Sequence, residues 1–199
     1  MKVPPSAIAR ISDTERNEAC EAVYKLIRAL GDNPDRAGMQ ETPARFIKAM
    51  EFYTSGYNVN PADLLKTFVD GAERYDQLIV VKDIPFWSLC EHHLAPFFGV
   101  AHVAYLPNQS IVGLSKLARV VDAYSRRFQV QERLTRQIAD LLQEELRPKG
   151  VGVMLVARHS CMECRGVLKA GCKTVTSALH GCIKSEDSAR EEFLALCRS

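Results

Sequence analysis

The order of the secondary-structure patterns is the feature that most constrains what this chain can fold into. Two amphipathic helical segments, residues 114–128 and 134–146, lie between two pairs of β-rich segments, residues 77–84, 99–106, 151–157 and 173–179. Apolar residues recur at helical spacing in the two central segments, whereas β-branched residues are frequent in the other four. Strand pairs around two consecutive helices predict an α+β domain in which an antiparallel sheet carries two packed helices.

Two further helices are predicted ahead of the sheet. Ser12-Asp-Thr-Glu15 has the spacing of a capping box, and apolar residues follow it at helical intervals. Thr42-Pro43 is typical of a second helix start, because proline suits the first helical turn. We therefore assign residues 1–60 to an N-terminal helical extension. Residues 61–199 form the main domain, which ends in a short helix near residues 187–196.

The composition excludes several classes of protein. The chain of 199 residues is 47% hydrophobic and 25% charged, which is typical of a globular protein with a sizeable core. A net charge of +2 is too small to predict binding to nucleic acid or to a membrane. The first residues lack the apolar core of a secretory signal, and the seven cysteines are odd in number. We therefore expect a cytoplasmic protein with free thiols and no disulfide framework.

Cysteine and histidine cluster at two places in the chain. Cys90-Glu-His-His93 is the first cluster, and His159-Ser-Cys161-Met-Glu-Cys164 follows the third β-rich segment. Thiolate and imidazole are good ligands for Zn²⁺, and three protein ligands leave a fourth position open for catalysis. Ordinary core residues are the alternative to a metal site. Spacing alone leaves two choices open: Cys161 or Cys164 as the third ligand, and His92 or His93 as the imidazole.

A basic segment begins the first central helix. In Gly113-Leu-Ser-Lys-Leu-Ala-Arg119, Lys116 and Arg119 are three residues apart and lie on one helix face. A helix N-terminus favours phosphate through its free N–H groups, and Ser115 adds a hydroxyl donor. Arg165 follows the second cysteine cluster closely. A solvated helix face is the ordinary alternative.

The junction of the two central helices carries Gln129-Val-Gln-Glu-Arg133. An amide beside a carboxylate, Gln131 beside Glu132, has the acceptors to read the donor edge of a purine. An ordinary helix start, with an acidic residue near the positive end of the helix dipole, is the interpretation that these residues alone favour.

Five motifs occur along the chain in a specific order. They are Cys90-Glu-His-His-Leu-Ala-Pro-Phe-Phe-Gly99, Gly113-Leu-Ser-Lys-Leu-Ala-Arg119, Gln129-Val-Gln-Glu-Arg-Leu-Thr135, His159-Ser-Cys-Met162 with Arg165-Gly166, and Lys173-Thr-Val-Thr-Ser177. Together they closely resemble the GTP cyclohydrolase I family, in a match that extends from residue 41 to residue 181. Cys164 and Cys172 depart from the family pattern, and residues 1–40 match it only loosely.

This resemblance implies a fold, a reaction and an assembly. The family adopts the tunnelling fold (T-fold), so residues 61–199 would form a T-fold catalytic domain. The implied reaction is the zinc-dependent conversion of GTP and water to 7,8-dihydroneopterin triphosphate and formate, the first step of tetrahydrofolate and pterin biosynthesis. The subunits would form a homodecamer of two pentameric rings, with active sites at subunit interfaces.

The same resemblance implies roles for individual residues. The implied Zn²⁺ ligands are Cys90, His93 and Cys161. The implied acid/base histidines are His92 and His159. The implied triphosphate contacts are Ser115, Lys116, Arg119 and Arg165, together with Arg45 from a neighbouring subunit. The implied guanine-recognising pair is Gln131 and Glu132.

Two other functions are compatible with these motifs. One is a T-fold relative with different chemistry, such as a zinc hydrolase that stops at a ring-opened formamide. The other is a zinc-stabilised ring protein that binds nucleotide without catalysis. The intact basic segment and histidine pair argue against the first alternative, and release of formate would separate the enzyme from the second.

Overall fold

The N-terminal helix begins where the sequence predicts. The computed structural model describes residues 11–69 and 75–198. Helix α1 (Asp13–Ala29) carries the predicted capping box: the N–H of Glu15 donates to the Ser12 hydroxyl, and the N–H of Ser12 donates to the Glu15 carboxylate. These two bonds satisfy backbone donors that a helix end leaves free.

A second helix packs beside the first. Helix α2 (Thr42–Tyr53) has Pro43 in its first turn, as predicted. The Arg16 guanidinium donates to both carboxylate oxygens of Glu51 at 2.7 Å, and this bidentate pair links α1 to α2.

The described residues contain seven strands: β1 (Thr67–Phe68), β2 (Ile79–Cys90), β3 (Pro96–Leu106), β4 (Ile111–Val112), β5 (Phe128–Gln129), β6 (Gly150–His159) and β7 (Thr174–His180). Five of them form one sheet in the order β5-β2-β3-β6-β7. Its long neighbours are all antiparallel, and only the two-residue strand β5 runs parallel to β2. The predicted antiparallel sheet is confirmed.

Strand β2 is longer than the sequence suggested. The predicted strand stopped at Ile84, whereas β2 continues through Pro85 to Cys90. Proline is tolerated here because β5 pairs only with Leu89 and Cys90, so no other described strand pairs with Pro85 on that side of β2. A bulge near Asp83, whose φ is 56°, shifts the register between the two halves of the strand.

The main core lies between the sheet and the two central helices, α3 (Leu114–Ser125) and α4 (Gln131–Leu146). Side chains from both helices and from the central strands are fully buried there, among them Leu117, Leu134, Leu142, Val103 and Leu155. The two predicted packed helices are thus confirmed.

Three short helices complete the chain: α5 (Ser160–Glu163), α6 (Gly181–Ser185) and α7 (Asp187–Arg198). Phe193 of α7 is fully buried against Ala104 and Gly152 on the sheet face opposite to α3 and α4. A side chain at Gly152 would press on the Phe193 ring, so the small residue makes room for α7. None of the described helices is long and apolar enough to cross a membrane.

Two 3₁₀ helices, Ser55–Asn58 and Pro61–Leu64, lie between α2 and the sheet and pack on α3. The N–H of Gly56 donates to the carbonyl of Arg126 at 3.0 Å, and a Cβ at Gly56 would overlap the carbonyl oxygen of Ala123. One 3₁₀ helix precedes residue 60 and the other follows it, and both contact α3. The predicted boundary between the N-terminal extension and the main domain at residue 60 stays a prediction.

We expect Leu142→Ala to destabilise the fold by about 2–5 kcal/mol, because it opens a cavity between α4 and the sheet. Leu26→Ala on α1 is the matched control, since that side chain is 55% exposed; its effect should stay within about 0.5 kcal/mol. Urea unfolding at one protein concentration and one zinc concentration measures both variants. Equal losses for the two variants would contradict the packing described here.

Candidate active site

Three strand ends meet at one edge of the sheet. Strand β2 ends at Cys90, β3 starts at Pro96 and β6 ends at His159. The register pairs Leu89 with Pro96 and Phe97 with His159. The turn after β2 and the segment after β6 therefore lie close together, although they are about seventy residues apart in the sequence.

The turn between β2 and β3 orients the first cluster. The N–H of Cys90 donates to the carbonyl of Ala95, and the N–H of Leu94 donates to the carbonyl of Cys90, both at 2.8 Å. Leu94 adopts a left-handed φ of 51°, which is costly for a leucine and tightens the turn. As a result, Cys90 Sγ lies 3.7 Å from Nδ1 of His93 and 3.8 Å from Nδ1 of His92.

Helix α5 brings the second cluster to the first. The ligand atoms of Cys90, His93 and Cys161 all lie within 4.8 Å of one another. Cys164 is exposed, and its thiol donates to the carbonyl of Ser160 at 2.9 Å. Of the two cysteines that spacing left open, the structure thus brings Cys161 to the cluster, together with His93.

The donor set fits a divalent cation of the zinc type. Zinc binds cysteine sulfur at about 2.3 Å and histidine nitrogen at about 2.0 Å, so the ligand atoms of one tetrahedral site lie about 3.5–4 Å apart. Burial raises the pKa of the Cys161 thiol, and the neighbouring Cys90 thiol raises it further. The Cys161 thiol therefore ionises with difficulty on its own, and a bound cation would favour its thiolate form.

His159 is held firmly beside this group. Its ring stacks on Phe97 with centroids 4.6 Å apart and planes 2° from parallel. Its Nε2 lies 2.8 Å from Oε1 of Gln131. Burial lowers the pKa of His159, while the nearby carboxylates of Glu132 and Glu163 act in the opposite direction. A histidine of this kind is neutral near pH 7 and can exchange a proton there.

The predicted guanine-recognising pair has two different environments. Gln131 is 1% exposed and all its amide atoms contact protein atoms. Glu132 is exposed at the first turn of α4, close enough to His159 to act on its pKa. Glu132 therefore has a carboxylate free to meet a ligand, whereas Gln131 is engaged inside the fold.

Three of the predicted phosphate contacts are cations without a carboxylate partner among the described residues. Among the described residues, Lys116 and Arg119 at the start of α3 form no ion pair and no side-chain hydrogen bond, and neither does Arg165 after α5. Ser115, next to Lys116, is exposed. The charge of Arg165 reaches the cluster, because it lowers the pKa of Cys161 against the effect of burial. Arg45 of α2 differs, since it pairs with Glu41, the residue just before the helix, and is largely exposed.

The sequence did not reveal an ion pair that flanks the cluster. Arg133 of α4 donates to the Glu91 carboxylate, and this hydrogen bond lowers the pKa of Glu91. The second oxygen of Glu91 lies 3.9 Å from Nε2 of His92. Glu91 is part of a recognisable motif, but its partner is 42 residues away and becomes visible only in the fold.

Comparison with known proteins agrees with these motifs. Residues 19–198 match the family model described as GTP cyclohydrolase I. The chain is 56% identical over 175 residues to GTP cyclohydrolase 1 of Nitrosospira multiformis, covering 88% of this chain and 92% of that protein. It is 56% identical to the Janthinobacterium protein of the same name, covering 87% and 88%. It is 51% identical to the Homo sapiens protein of that name, covering 89% of this chain and 71% of the human one. The chain therefore belongs to the GTP cyclohydrolase I family, whose T-fold its sheet and two packed helices represent.

Proposed function

We propose that this chain converts GTP and water to 7,8-dihydroneopterin triphosphate and formate, the first step toward folate-type pterins. The observation that carries the proposal is the meeting of Cys90, His93 and Cys161 at one sheet edge, next to His159. A metal-binding group with an open position, beside a partly buried histidine, suits hydrolysis of a purine ring.

Cys90, His93 and Cys161 would hold the zinc ion, through two sulfur atoms and one imidazole nitrogen. Zinc bound there would act as a Lewis acid that activates water near neutral pH. The three protein ligands would leave one coordination position for the reacting molecule. Guanine C8 is a poor electrophile, so the purine also has to be activated by the chain itself.

We assign activation of the purine to His159. A proton donated to purine N7 draws electrons from C8 and makes attack on it easier, and imidazole is suited to donate it near neutral pH. His92 is exposed beside the cluster, with its Nδ1 near Cys90 Sγ. We assign to His92 the proton transfers of the later ribose rearrangement and ring closure.

Recognition of GTP uses charge at both ends of the nucleotide. The cationic groups of Lys116, Arg119 and Arg165, with the Ser115 hydroxyl, would bind the triphosphate, and arginine forms strong directional bonds to phosphate. Glu132 would accept from the N1–H and the 2-amino group of guanine. A base without these donors would leave the carboxylate unpaired, which disfavours it.

The proposed assembly is a decamer of two pentameric rings with active sites at subunit interfaces. Within residues 11–69 and 75–198, both long edges of the sheet are open, because β7 has one neighbour and β5 covers only the last two residues of β2. Arg45 is on α2 and pairs with Glu41 just before the helix; both side chains are exposed, where a neighbouring subunit could receive Arg45. In the proposed ring it would reach the triphosphate of the adjacent site.

We expect the zinc-loaded protein to release formate from GTP, together with a pterin that becomes fluorescent after oxidation. The two products should form in about equal amounts, because one ring carbon leaves as formate for each pterin made. Protein treated with a chelator should release neither, and addition of zinc should restore both. Tight binding of GTP with no formate and no pterin would support the non-catalytic alternative and contradict this proposal.

We expect Cys161→Ser to lose zinc and Cys164→Ser to keep it, because only Cys161 lies with Cys90 and His93. Each variant replaces one thiol with a hydroxyl, and the two positions are three residues apart, so each variant controls for the other. Metal analysis after dialysis against the same free zinc concentration measures the difference. The reverse result would reassign the third ligand to Cys164.

A further inference from the structure

The side chain of Gln131 is fully enclosed, and protein atoms surround both ends of its amide. Its Nε2 lies 3.2 Å from the Leu155 carbonyl, 3.0 Å from the Thr174 carbonyl and 3.1 Å from Oγ1 of Thr176. Its Oε1 lies 2.8 Å from Nε2 of His159. Gln131 could contact guanine only by giving up these bonds.

The surroundings fix which way the amide points. A main-chain carbonyl oxygen only accepts hydrogen bonds, so the end of the amide that faces Leu155 and Thr174 has to be the NH₂ group. The opposite orientation would place a carbonyl oxygen against two other carbonyl oxygens, and the hydrogen-bond network excludes it. The oxygen of Gln131 therefore faces His159.

The neighbouring hydroxyl groups agree with this orientation. Oγ1 of Thr135 lies 2.7 Å from the main-chain carbonyl of Gln131, which receives its proton. In the 2.6 Å contact between Thr135 and Thr176, Thr176 must therefore donate. Its Oγ1 is then free to accept from the NH₂ group of Gln131, so each hydroxyl proton has one place in the network.

We propose that Gln131 is a positioning residue that holds His159 as the Nε2–H tautomer and leaves Nδ1 to face substrate, as the nitrogen that takes up a proton from solvent before donating it to purine N7. An amide oxygen only accepts, so the Nε2 atom of His159 has to donate to it. The parallel stack on Phe97 fixes the plane of the same ring. Nδ1 of His159 has no hydrogen-bond partner among residues 11–69 and 75–198. The choice of His159 as the histidine that meets the purine rests on the proposed function, whereas its tautomer does not.

The tautomer can be measured without any enzyme activity. The chain has five histidines, so solid-state NMR of zinc-loaded, full-length protein with ¹⁵N and ¹³C in the histidine rings gives few signals at any assembly size. The signals that disappear in His159→Asn belong to His159. At about pH 8, where an ordinary imidazole is neutral, we expect a protonated Nε2 and a bare Nδ1. A bare Nε2 in the wild-type protein would overturn the proposal.

Gln131→Met removes the acceptor at nearly constant volume. We expect His159 to lose its single tautomer, kcat to fall about 10- to 100-fold, and KM for GTP to change by less than about threefold, because general acid catalysis is impaired and binding is not. Gln131→Glu should recover most of kcat, since a buried glutamic acid keeps its proton and presents both a donor and an acceptor. Gln143→Met, the same exchange further along α4, should leave both constants unchanged.

Other results identify other roles for Gln131. A higher KM at unchanged kcat would make it a reader of guanine, and unchanged kcat and KM would show that it has no role in the reaction. If Gln131→Met lost zinc or failed to fold, the tautomer in the wild-type protein would still decide the proposal. If wild-type protein released no formate, the proposed function would fail while the tautomer result stood on its own.

Discussion

The register of β3 between β2 and β6 is the constraint on which the rest of the site depends. Pairing Phe97 with His159 fixes where β6 ends, and pairing Leu89 with Pro96 fixes where the turn after β2 stands. A slip of one residue would turn every side chain of β6 to the other face of the sheet. His159 would then leave the stack on Phe97, and Cys161 would leave Cys90 and His93.

Charge is distributed around this edge in a way that suits the proposed substrate. The Cys90 and Cys161 thiols lie close together, and burial raises the pKa of Cys161, so a cation bound between them would favour its thiolate form. Lys116, Arg119 and Arg165 have no carboxylate partner among the described residues, although the whole chain is almost neutral. The fold thus provides two separate groups of side chains: cations suited to an anion, and sulfur ligands suited to a metal. His159 lies beside the sulfur ligands.

Local features could be predicted from the sequence, and features that depend on register could not. The capping box at Ser12, the two helices on the sheet and the clustering of cysteine with histidine follow from spacing and periodicity, and the structure shows all of them. Spacing could not choose between Cys161 and Cys164, because the choice depends on how α5 turns after β6. The bond from His159 to Gln131 was equally hidden, since it joins residues 28 positions apart.

Zinc K-edge X-ray absorption of the zinc-loaded protein tests most directly whether two sulfur atoms and one imidazole hold a metal with an open position. The account predicts two sulfur ligands at about 2.3 Å, one imidazole nitrogen at about 2.0 Å and one further light atom that is not from the protein. The spectrum should be the same in Cys164→Ser. Three sulfur ligands, or four protein ligands that close the site, would contradict the account.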